Sequence, residues 1–276
     1  MNDTLSSLVG PGSQPGEEDG AALDYMRMPS GMMTFSTPNL PESEDVQGYR
    51  KGKAALEDVL SILKSAERRG SVDLDELDAA NRDFVEQVLG EGEVSVIAGG
   101  RAQAQESVLA GVWRVRETGR DGAVTRDYVE VGAFPAHILG GAFEGARDTV
   151  PVPDRFGPNI FNAPPLLPEI NEHLGKTSGL AHAINLSLLP HTEEDLLFLN
   201  DILGRGELTI LSRGYGNCRI TATATRNVWW VQFYNSQDTM ILNTIEIASV
   251  PEVACASHED IDDSAERLDE ILEIYR

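Results

Sequence analysis

The residues best suited to chemistry cluster in the second half of the chain. Cys218 lies in the segment Arg213-Gly-Tyr-Gly-Asn-Cys-Arg219. Two guanidinium groups beside a thiol favour the thiolate, and Gly214 and Gly216 would leave it accessible. Such a thiolate could touch iron, sulfur or a client cysteine. The plainer reading is a cysteine at a strand turn with no special reactivity. The same segment also reads as a contact surface. Tyr215 would stand at a hairpin tip between two glycines, and tyrosine and arginine are favoured interface anchors. Arg226 and Trp230 are expected to extend that surface, with Trp230 partly exposed on the face opposite Trp229.

Other constellations are wanting. The five histidines are His137, His173, His182, His191 and His258, and none forms H-x-x-x-H or H-E-x-x-H. Cysteine ligands for a metal are nearly absent, since Cys218 and Cys255 are the only two. An iron–sulfur cluster on this chain alone is disfavoured, because clusters take four thiolates as a rule. No phosphate-binding loop and no G-x-S-x-G elbow occur. The expectation is a protein without catalytic residues, metal or cofactor, acting by binding.

Charge narrows the partners. The formal net charge is −23 over 276 residues. A surface this acidic repels nucleic acid and anionic membranes, stays soluble and attracts basic protein segments. No apolar run approaches the ~18 residues of a transmembrane helix, and no secretory signal opens the sequence. Two isolated thiols fit a reducing compartment, so a cytoplasmic location is expected.

The elements that would position these residues follow from periodicity. Residues 1–48 read as an extended, disordered acidic tail. Gly10-Pro-Gly-Ser-Gln-Pro15 cannot build ladders, because proline lacks a donor and glycine loses much entropy on ordering. Gly10, Pro11, Gly12, Gln14 and Pro15 are the second contact candidate, or a plain linker. Helices are expected at about 50–68, 75–89 and 258–275. The last would be capped by Ser257 with Asp260 at the third helical position, and a short helix is expected near 135–144. The Pro/Gly-rich stretch 149–180 reads as an irregular connection.

The sequence also repeats itself. Asn81–Val96 matches Asp195–Ile210, with Phe84 on Phe198, Leu89 on Leu203, Gly90 on Gly204, Gly92 on Gly206 and Glu93 on Glu207. Trp113 then falls on Trp229, Arg114 on Trp230, and Val129-Glu-Val131 on Ile245-Glu-Ile247. Each copy reads as a helix, a Gly-x-Gly turn and a three-stranded antiparallel sheet, with Val72 and Ile184–Leu186 as short added strands. The fold class is therefore α+β, a tandem duplicated module with pseudo-twofold symmetry and two sheets. The first repeat would span 49–148, and the second 181–276 with the C-terminal helix. Both tryptophans should anchor their sheets.

These segments resemble one known family. Leu8-Val-Gly-Pro-Gly-Ser-Gln-Pro15, Leu89-Gly-Glu-Gly-Glu-Val-Ser-Val96, Gly111-Val-Trp-Arg-Val115, Ile210–Thr223 and Asp263-Ser-Ala-Glu-Arg-Leu268 are similar to the HupH/HyaF (HoxQ) hydrogenase expression/formation proteins. The resemblance covers nearly the whole chain. It implies a chaperone or scaffold for the iron–sulfur small-subunit precursor of a NiFe uptake hydrogenase, acting before twin-arginine export beside a thioredoxin-like companion. The alternative it leaves open is a thiol-dependent cluster-assembly or repair protein working through Cys218.

Overall fold

A computed structural model of the chain describes residues 48–176, 181–214 and 216–275. The Gly10–Pro15 motif, the rest of the N-terminal segment before Gly48, and Tyr215 lie outside the described residues. In chain order the elements are α1 (Arg50–Leu63), β1 (Gly70–Asp73), α2 (Ala79–Leu89), β2 (Val94–Ala98), β3 (Ala102–Glu106), β4 (Val112–Thr118), β5 (Val124–Val131), α3 (Ala136–Ala142), α4 (Leu166–Leu174), β6 (His182–Asn185), α5 (Glu193–Leu203), β7 (Leu208–Ser212), β8 (Asn217–Ala222), β9 (Val228–Tyr234), β10 (Met240–Ile247) and α6 (His258–Ile274).

The expected α+β mixture is present, but in place of two three-stranded sheets there is one sheet of ten strands. Its order is β1-β5-β4-β3-β2-β7-β8-β9-β10-β6, antiparallel throughout. The halves are joined where β2 pairs with β7, Val94 opposite Ser212 and Ala98 opposite Leu208. That seam follows from the alternation in both strands: Val94, Val96, Leu208 and Ile210 are all buried on one face. The strand β3, Ala-Gln-Ala-Gln-Glu, carries too little apolar weight to signal itself by composition.

The face bearing Trp113 and Trp229 has a single core, which also holds Cys218, Ile220, Ile138 of α3 and Ala254. The opposite face carries two cores. Helices α1, α2 and α6 cover Val112, Val129 and Val131. Helices α4 and α5 cover Val228, Trp230, Ile245 and Ile247. Helix α6 follows the second half in sequence yet packs on the first, where Lys64 pairs with Asp269 at 2.5 Å and Lys53 Nζ donates to the Tyr275 carbonyl at 2.9 Å. Both tryptophans are fully buried. Trp113 Nε1 donates to the Gly132 carbonyl at 2.9 Å, and Trp229 Nε1 to that of Ala248 at 3.0 Å.

Local chemistry explains the element ends. Leu56, Val59, Leu60 and Leu63 form the buried stripe of α1, which stops at Leu63, short of the expected residue 68, and Gly70 opens β1. Asp78 caps α2 by accepting the Asn81 N–H, which starts that helix later than its periodicity suggests. Gly90 and Gly204 end α2 and α5 at φ 57° and 65°, conformations that side chains resist. Ser257 caps α6 through the Asp260 N–H, as expected. The stretch read as an irregular connection contains α4. It begins just after Pro165, with Pro168 tolerated in the first turn because no helical hydrogen bond is lost there.

Candidate functional site

The turn between β7 and β8 is sewn to the start of β2. The Arg213 N–H donates to the Glu93 carbonyl at 3.1 Å. The Glu93 carboxylate lies directly over Gly214: a Cβ there would fall 2.1 Å from Glu93 Oε2 and push that carboxylate aside. Gly216 has φ +101° with open space around it.

Beside this turn is a cleft of about 410 Å³, lined by Glu93, Glu106, Ser212, Gly214, Cys255 and Asp260. Three elements supply its carboxylates. Glu93 precedes β2, Glu106 ends β3, and Asp260 sits in the first turn of α6. Glu93 and Asp260 are exposed. Glu106 is 8% exposed, and its Oε1 accepts the Gly111 N–H at 3.1 Å. Burial raises the Glu106 carboxyl to about 7 against the pull of that N–H, with Glu93 and Asp260 adding to the rise. Burial likewise lifts the Cys255 thiol to about 11.

The structure separates the contact residues suggested by sequence. Cys218 is 1% exposed in the tryptophan core, and desolvation pushes its thiol up to about 12. Neighbouring residues of a strand point to opposite faces, so Arg219 turns away from it and is itself buried beneath the other face. The activated-thiolate reading of Cys218 is therefore corrected: its surroundings stabilise the thiol. Trp230 does lie on the face opposite Trp229, but it is not partly exposed. It is 7% exposed under α4 and α5, and its Nε1 donates to Asn243 Oδ1. Arg226 is exposed and faces Asp148 at 3.4 Å, but it follows the far end of β8 and does not continue the surface of the Arg213–Gly216 turn. Glu106 and Asp260 were missed by sequence reasoning. Glu106 hides in the weak strand β3, and Asp260 reads as a capping residue.

Among the described residues, no three His, Cys, Asp or Glu side chains are placed to hold one metal ion, and no helix is long and apolar enough to cross a membrane.

Comparison with known proteins covers almost the entire chain. The family model described as HupH hydrogenase expression protein, C-terminal conserved region, matches residues 54–148 and 160–275. The chain is 47% identical over 273 residues to hydrogenase expression/formation protein HupH of Rhodobacter capsulatus, covering 97% of this chain and 96% of that one. It is 46% identical over 279 residues to hydrogenase expression/formation protein HoxQ of Cupriavidus necator, covering 96% and 95%. To hydrogenase-1 operon protein HyaF of Escherichia coli it is 32% identical over 286 residues, covering 99% and 97%. A match of this length and identity means that the chain belongs to the HupH hydrogenase expression protein family.

Proposed function

We propose that this protein is a non-catalytic assembly factor in hydrogenase maturation, one that holds the iron–sulfur small-subunit precursor of a NiFe uptake hydrogenase in the cytoplasm before twin-arginine export. The observation that carries this reading is the end-to-end likeness to proteins named for hydrogenase expression or formation, at 47% and 46% identity over 97% and 96% of the chain. The acidic charge of −23 supports a client with basic segments. The Arg213–Gly216 turn and the cleft beside it are the proposed contact surface, with Gly10–Pro15 as a second one.

The scaffold is proposed to be a tandem duplication with pseudo-twofold symmetry. Supporting it are the strand order, 1-5-4-3-2 then 7-8-9-10-6, and the two separate stretches that the family model matches. Paired hydrogen bonds repeat as well. Gly92 N–H reaches the Glu106 carbonyl and Gly206 N–H that of Ala222, both at 2.7 Å.

The test is co-purification with a tagged small-subunit precursor under anaerobic, low-salt conditions. The reading expects a stoichiometric complex that weakens with salt. Absence of any complex with either hydrogenase subunit would overturn it.

A further inference from the structure

We infer that the cleft formed by Glu93, Glu106 and Asp260 receives an arginine side chain of the client polypeptide, a step that rests on the client-binding reading above. The argument begins with Glu106. It is 8% exposed, and among the described residues its carboxyl's one hydrogen bond is from the Gly111 N–H to Oε1. Oε2 has no hydrogen-bond partner among the described residues. The charged groups acting on this carboxyl are Glu93 and Asp260, both acidic. A desolvated carboxylate is costly unless paired, and no countercharge acts on this one among the described residues. A cation from outside would reverse each of those unfavourable contributions together.

The geometry selects the kind of cation. About 410 Å³ exceeds the needs of a single ion and suits an entering side chain. The carboxylates come from three elements and do not converge, since no three acidic, His or Cys groups among the described residues are placed to share a metal. A guanidinium carries five donors in a planar fork and spreads them over a wider span than the three donors of an ammonium. Gly214 belongs to the same design. With no side chain there, the Glu93 carboxylate rests against the Gly214 backbone at the rim of the cleft. Buried Glu106 would meet the fork while exposed Glu93 and Asp260 flank it.

The test uses the full chain, labelled with nitrogen-15, and a blocked decapeptide containing two adjacent arginines. Its control carries citrulline, which keeps the shape and loses the charge. The arginine peptide should shift the amides of Glu106, Gly111, Gly214 and Asp260 in a saturable way, and the citrulline peptide should not. Glu106→Gln should weaken binding at least tenfold. Asp260→Asn, on an exposed helical turn, should weaken it severalfold and serves if the first variant does not fold. Equal binding by citrulline, shifts confined to other residues, or full affinity in both variants would overturn the inference. So would saturable shifts of the same amides by magnesium chloride alone. Co-purification with the hydrogenase subunits is run in parallel. A complex without peptide binding in the cleft removes this inference alone; peptide binding without a complex removes the assembly reading alone.

Discussion

Arg114 and Asp127 grip each other across β4 and β5 with two hydrogen bonds, Nε to Oδ1 at 2.5 Å and Nη2 to Oδ2 at 2.6 Å, and both are buried. Trp230 and Asn243 stand on the same diagonal of β9 and β10, where the indole N–H donates to the amide oxygen. An ion pair in one half and a neutral pair in the other meet the same need, a cross-strand partner for a polar group beneath a helix layer.

Removing one member of the ion pair should be costly. Arg114→Met leaves Asp127 desolvated, a loss of about 3 kcal/mol, with Arg82 at 3.7 Å and Arg116 at 3.9 Å limiting the damage. The double variant Arg114→Met, Asp127→Leu should recover most of it. Urea unfolding of the single and double variants measures both, and additive losses would contradict the coupling.

Cys218 should resist chemistry until the protein unfolds. Its thiol is buried and pushed up to about 12, so iodoacetamide should leave it unmodified in the native state. Peptide mass spectrometry reads the outcome. Cys218→Ser should leave hydrogenase maturation intact while costing about 1 kcal/mol for a hydroxyl in an apolar core. Lost maturation with a folded variant would restore the thiol mechanism.

Asp195 fastens the loop before α4 to α5. Its Oδ1 accepts the N–H groups of Phe161, Asn162 and Ala163 at 2.8, 3.1 and 3.0 Å, and its Oδ2 that of Thr192 at 3.1 Å. Burial opposes the charge, but these donors outweigh it and hold the carboxyl below its ordinary range. A lowered native pKa stabilises above the unfolded value and is lost as pH falls through the native one. Asp195→Asn should therefore cost about 2 kcal/mol at pH 7 and progressively less in acid, measured by denaturant unfolding across pH 2–7.

Glu106 has the opposite sign. Its carboxyl titrates near 7 when folded, against an ordinary value of 4.5. Between those values the folded protein retains a proton that the unfolded chain has released, so stability falls as pH rises through the window. The penalty is complete above about pH 7, and on the order of 3 kcal/mol at most. Glu106→Gln should flatten the stability profile between pH 4.5 and 7, and an unchanged slope would refute the assignment. Glu93, Asp260 and Cys255 are the titratable neighbours whose contributions remain in the variant.

Helices were legible where an apolar stripe or a cap made them so. The stripe of α1 and the Ser257 cap of α6 are set locally, and both appear where periodicity puts them. The continuous sheet was not legible. Pairing of β2 with β7 is a long-range event that neither strand announces. For the same reason α6, adjacent to β10 in sequence, gave no sign of crossing to α1. The site was half legible. Gly214 and the Arg213 turn stood out by composition, whereas Glu106 reached them only through the β3–β2–β7 register. Cys218 misled because sequence proximity to arginines says nothing of the pleat that directs Arg219 away.

Ten strands end on margins only four residues long, Gly70–Asp73 on one side and His182–Asn185 on the other. Each margin is stepped, because β1 pairs only with Tyr128–Val131 of β5 and β6 only with Thr244–Ile247 of β10, and a broken border discourages self-association into fibres. A straight strand added at either side would pair with four residues before it met a step. The client binding proposed above would then fall to side chains, and release would need no long strand to be peeled away.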